Sequence, residues 1–209
     1  MKTPMSPTWP TPRRPALRMA EALDPRPTLT PALEGLLARL IAVSPTYHGL
    51  VVTDLLVVGL AAHGTAVASI RPLRGQAHSV VVDGHRRRIE LGLRPAFFLD
   101  GDAPTRLATL CHELLHLDPH RPGDLLDDNR HARRSQRSVD AEAARIARAA
   151  IAALPPAQLL CLAHHGEVRL RMWRRRPVDE TARSRFTDAD VFDGVIAMHT
   201  PADRRGSWW

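Results

Sequence analysis

The chain has 209 residues, 44% of them hydrophobic and only 4% aromatic, which is enough for one core of moderate size. Its longest apolar run, Leu50 to Ala62, is broken by Thr53 and Asp54 and is too short to span a bilayer, which argues against a membrane protein. The formal charge of +7 raises nucleic acid as a partner, but the arginines are scattered except at Arg86-Arg87-Arg88 and Arg174-Arg175-Arg176, with no aromatic interleaving for a stacking platform.

Residues 1–30 carry Pro4, Pro7, Pro10, Pro12, Pro15, Pro25 and Pro27 with little apolar periodicity, so a flexible Pro-rich arm is expected there. It lacks the continuous apolar segment of a secretory signal, and a cytoplasmic location is expected. Pro31 to Val43 places Leu33, Leu36, Leu37, Leu40 and Ile41 on one helical stripe, with proline acceptable at its start. Leu55 to Leu60 and Ala66 to Leu73 read as paired strands around His63-Gly64. Ser79 to Val82 and Arg88 to Leu93 flank Asp83-Gly84, a strong hairpin dipeptide.

A helix is expected from about Asp102–Thr105, capped by Asp102, to Leu117 or Asp118, because Pro119 disfavours helical conformation before it. Leu107, Leu110, Cys111, Leu114 and Leu117 form its buried stripe. A second helix runs from Ser135 or Ser138 to Leu154, stopped by Pro155-Pro156. Ala157 to Ala163 is a short helix, and Val168, Leu170 and Met172 alternate as a late strand. Only a polar extension is expected beyond Arg174. The organisation is therefore an arm over 1–30, one α+β domain over 31–175 and an extension over 176–209. Cys111 and Cys161 sit in apolar helical surroundings and are expected to be free, small hydrophobes.

The motif that carries chemistry is His112-Glu113-Leu114-Leu115-His116, an H-E-x-x-H pattern within the helix. Helical residues four apart lie nearly above one another, so both imidazoles reach one metal ion while Glu113 projects beside them as a general base. With 11 histidines in the chain, chance alone gives such a match in about one chain in fifty. Two imidazoles hold zinc poorly, so a third ligand is required. His131 stands fifteen positions past His116 at the end of a loop and is the first choice. Asp140, on the inward face of the second helix, is the alternative, followed by Glu142 and His120. Tyr47 and His85 are candidates for stabilising an oxyanion, but their spacing does not place them near the metal.

The H-E-x-x-H helix, preceded by a strand hairpin and followed after a loop by His131 and a helix, resembles the minimal zincin layout of SprT-like and phage metallopeptidases. Cys111 to Pro119, Gly123-Asp124-Leu125 and Ser135 to Asp140 are similar to a further group of bacterial metallopeptidases. The resemblance covers roughly residues 50 to 175. It implies a small mixed or antiparallel sheet with a motif helix and packing helices, zinc as cofactor, a histidine third ligand just before a helix, and a peptide or protein substrate. It also implies an edge strand that holds extended substrate, for which Arg88 to Leu93 is the candidate. No cysteine-rich zinc ribbon follows, so the DNA-linked role of some SprT-like proteins does not transfer.

The expected activity is zinc-dependent hydrolysis of a peptide bond by a metal-held water that Glu113 activates. The alternatives are a catalytically silent zincin-like regulatory or interaction module, and a DNA-associated protease. The presence of Glu113 argues against the silent module, because a purely structural site has no use for a general base.

Overall fold

A computed structural model describes residues 26–60, 66–73, 78–121, 124–126, 134–177 and 184–196. The chain is α+β, as its sequence pattern implies. Helix α1 (Thr30–Val43) takes Pro31 in its first turn and buries Leu33, Leu36, Leu37 and Leu40. Each such leucine contributes about 1.5–3 kcal/mol on burial. The last residues of the proline-rich segment belong to this core: Leu29 is buried, and its N–H bonds the Arg169 carbonyl at 3.0 Å.

Strand β1 (Leu55–Gly59) is buried at every position, which explains its uninterrupted apolar run. Successive side chains point to opposite faces. Leu55 and Val57 join the helical side of the core, while Leu56 and Val58 join a second cluster with Val80, Val82 and Phe186. Strands β2 (Ala68–Pro72) and β5 (Ile89–Leu93) complete this sheet in the order β1-β5-β2. Strand β5 runs parallel to β1 with Ile89 opposite Leu55, and antiparallel to β2 with Leu93 opposite Ala68.

This arrangement corrects three sequence expectations. Strands β1 and β2 do not pair with each other, because β5 is inserted between them. Arg88 to Leu93 is not an edge strand, because both backbone edges of β5 are occupied; the edge strands of this sheet are β1 and β2. The Asp83-Gly84 turn joins β3 (His78–Val82) to β4 (His85–Arg87), and the chain leaves that sheet before β5 begins. The turn itself is as expected, with φ of 53° at Asp83 and 73° at Gly84. Two positive values match the twist of a tight hairpin.

Four further helices join α1 in the cluster on the Leu55 and Val57 side of the sheet: α2 (Pro95–Leu99), α3 (Ala103–Leu114), α4 (Gln136–Ala153) and α5 (Pro156–Ala163). Helices α3 and α4 pack on each other through Leu107, Leu110, Leu114, Ala143, Ile146 and Ala147. Strand β6 (Val168–Trp173) pairs antiparallel with β8 (Val191–Ile196), and β7 (Ser184–Phe186) pairs parallel with β3. Residues 184–196 thus supply two strands where the sequence indicated only a polar extension. Among the described residues, no helix is long and apolar enough to cross a membrane.

Glu90 faces the second cluster and is 1% exposed. Burial pushes its carboxyl pKa up, but hydrogen bonds from Arg71 and Arg176 outweigh this and hold it below the ordinary value. Trp173 Nε1 donates to the same carboxylate at 2.7 Å.

Candidate metal centre

Helix α3 opens with Asp102, whose Oδ1 accepts from the Thr105 N–H at 2.9 Å, with Pro104 in the first turn. Regular helix ends at Leu114, earlier than Pro119 alone implies. Leu115 stays right-handed at φ −67° and ψ −12°, and the chain tightens: the His116 N–H bonds the Glu113 carbonyl and the Leu117 N–H bonds the Leu114 carbonyl, both at 3.1 Å. His116 therefore stands in a closing turn, still on the same side as His112. The two ring centroids are 5.2 Å apart with the planes at 68°.

The returning loop anchors this turn. The Leu126 N–H bonds the His116 carbonyl at 2.9 Å, and Leu117 bridges Leu125. Asp118 accepts from the His120 N–H at 2.8 Å and from Arg121 Nε at 2.7 Å. His120 is exposed in this turn, and its register is set by Asp118.

Glu113 is half-buried, and its carboxylate accepts from the Ile70 backbone N–H. The register explains the contact. The Leu73 N–H bonds the Arg88 carbonyl and the Arg94 N–H bonds the Val67 carbonyl, so odd-numbered residues of β2 face β5 and Ile70 directs its N–H outward. Burial pushes the Glu113 pKa up to about 7, against the opposing effects of the Ile70 hydrogen bond and the Arg94 charge. A carboxyl titrating near neutrality suits a general base at neutral pH.

Asp140, on α4, places Oδ1 2.8 Å from His112 Nδ1 and accepts from Gln136 Nε2 at 3.0 Å through the same oxygen. Glu142 points elsewhere, into an ion pair with Arg134 and a longer one of 3.9 Å with Arg145. His131 lies outside the described residues. Among the described residues, no group of three or more His, Cys, Asp or Glu side chains converges as a metal-holding set. Imidazole and carboxylate are donor types that zinc accepts, and His112, His116 and Glu113 supply them here.

Tyr47 is buried behind the helix, and its hydroxyl donates to the Cys111 carbonyl at 2.8 Å. It supports the motif helix from behind, and His85 sits exposed at the start of β4. Tyr47→Phe is expected to lower stability by about 1 kcal/mol, the net worth of one buried hydrogen bond, with the loss read as a shift of the urea midpoint. Cys111 and Cys161 are both free, and burial pushes the Cys111 thiol up to about 12, so it stays protonated and inert.

No family model matches the chain, and neither the curated proteins nor the solved structures yield a match.

Proposed function

We propose that this chain is a zinc-dependent metallopeptidase with a minimal zincin-like domain, acting on a peptide or protein substrate in the cytoplasm. The observation that supports the reading is the pairing of the His112 and His116 rings on one side of the helix, with Glu113 next to His112 in the chain and its carboxylate bonded to the Ile70 N–H of β2. His112, His116 and His131 would hold the ion. His131 follows Leu126 by five residues, and Leu126 is bonded to the His116 backbone. Five extended residues reach about 17 Å, ample for a return to the site.

When bound, zinc would polarise the substrate carbonyl and make a water nucleophilic near neutral pH. Glu113 takes the proton from the attacking water and delivers it to the leaving amine. An extended substrate segment is held along the outward edge of β2, where Ala68 and Ile70 face away from β5. Helix α3 and its closing turn keep the imidazoles together while bonds change.

Zinc titration tests the ligand set. The protein, stripped with chelator and dialysed, is expected to bind about one zinc per chain, and His112→Ala and His116→Ala are expected to lose that stoichiometric binding. Wild-type protein that retains no zinc by elemental analysis would sink the reading.

A further inference from the structure

We infer that Asp140 is a positioning residue that holds the His112 ring from behind, rather than one of the ligands; this rests on the zinc-site reading above. Asp140 comes from α4, the helix packed along α3, and meets His112 on the Nδ1 side of its ring at 2.8 Å. That distance is a hydrogen bond. A carboxylate accepting from Nδ1–H fixes the tautomer and presents Nε2 as the ligating nitrogen.

The arrangement has its own support. Gln136, one turn earlier on α4, donates to the same Oδ1 at 3.0 Å, so a chain of hydrogen bonds runs from Gln136 through Asp140 to His112. Arg134 engages Glu142, two positions further along α4, and leaves Asp140 to the histidine. Asp140 thus transmits the position of α4 to the ring orientation of His112.

Two variants separate positioning from ligation. Asp140→Asn retains an oxygen that accepts from Nδ1–H, whereas Asp140→Ala has none. A positioning role predicts that zinc affinity falls about 10- to 100-fold in the alanine variant and is largely rescued in the asparagine variant. It also predicts, in metal-free protein at pH 8, that nitrogen NMR finds the His112 proton on Nδ1 in wild type and partly moved to Nε2 in the alanine variant. Cobalt-substituted wild type and Asp140→Asn should share one visible spectrum, the signature of an unchanged ligand set. Loss of zinc in Asp140→Asn as severe as in His112→Ala would overturn the inference in favour of ligation. An unchanged tautomer and affinity in Asp140→Ala would overturn it in favour of no role. Failure of the zinc-site reading itself is recognised separately, because wild type then binds no zinc.

Discussion

Glu113→Gln is expected to lower kcat by about 10²- to 10⁴-fold, the typical worth of a positioned general base, while zinc stays bound. Glutamine keeps the shape and an oxygen for the Ile70 N–H, but it cannot take a proton. The readout is cleavage of a peptide library or of candidate proteins by matched, zinc-loaded samples. Equal cleavage by both proteins would remove Glu113 from the mechanism. A wild type that binds zinc and cleaves nothing would instead favour a metal-binding interaction module. For the wild type, activity should fall on the acid side as the carboxyl is protonated, with the limb at or below about pH 7, since a bound cation can only lower that value.

The same substitution has a stability consequence in the metal-free protein. The folded-state pKa of Glu113 is raised above the ordinary carboxyl value of 4.5, so the folded chain holds this proton more tightly than the unfolded chain does. The fold is therefore least burdened below about pH 4.5, and the penalty grows as pH rises through about 7. Partial exposure of the side chain reduces the effect, leaving about 1–3 kcal/mol. Metal-free Glu113→Gln should be more stable than wild type at pH 8 by that amount, with the two converging at pH 4.5 in urea titrations.

Arg106→Met is expected to cost about 3–5 kcal/mol, the largest stability effect among these substitutions. Arg106 lies on α3 two turns before the motif and is 1% exposed. Its guanidinium donates to the carbonyls of Phe98 at 2.8 Å, Leu162 at 2.9 Å and Asp100 at 3.3 Å, and also to that of His164, with Nη2 2.9 Å from His165 Nδ1. Burial draws its pKa down, while the charges of Asp100 and Asp102 oppose the shift. One side chain thereby ties the motif helix to the end of α2 and to the turn between α5 and β6. Methionine fills the space but leaves these carbonyls without their donor. Arg106→Lys should rescue little, because an ammonium is a compact point charge and cannot span acceptors that a planar fork reaches together. A lower urea midpoint at unchanged slope is the expected result. A loss below about 1 kcal/mol would mean that these carbonyls find other donors at little cost.

What could be read from the sequence was local. The 3.6-residue period located α1, α3, α4 and α5, Asp102 and Ser135 marked the helix starts, and Asp83-Gly84 specified a tight turn. The pairing of His112 with His116 follows from helical spacing and survives the tightening after Leu114, because a closing turn still stacks residues four apart on one side. Each of these signals depends on neighbours a few positions away.

The tertiary structure decided everything that depends on distant partners. A run such as Ile89 to Leu93 has the same alternation whether it lies at an edge or in the centre, and only the pairing with both β1 and β2 made it central and left β2 beside Glu113. Arg106 sits among the apolar residues of its helix as an ordinary surface arginine would, and its burial follows from carbonyls up to 58 positions away. The sequence offers Asp140 as an alternative ligand or as a carboxylate favoured at a helix start, and its approach to Nδ1 of His112 appears only when α4 is laid along α3. Helix periods and caps are short-range and written residue by residue, whereas strand order, buried charge and the carboxylate partner of His112 arise only where separate elements meet.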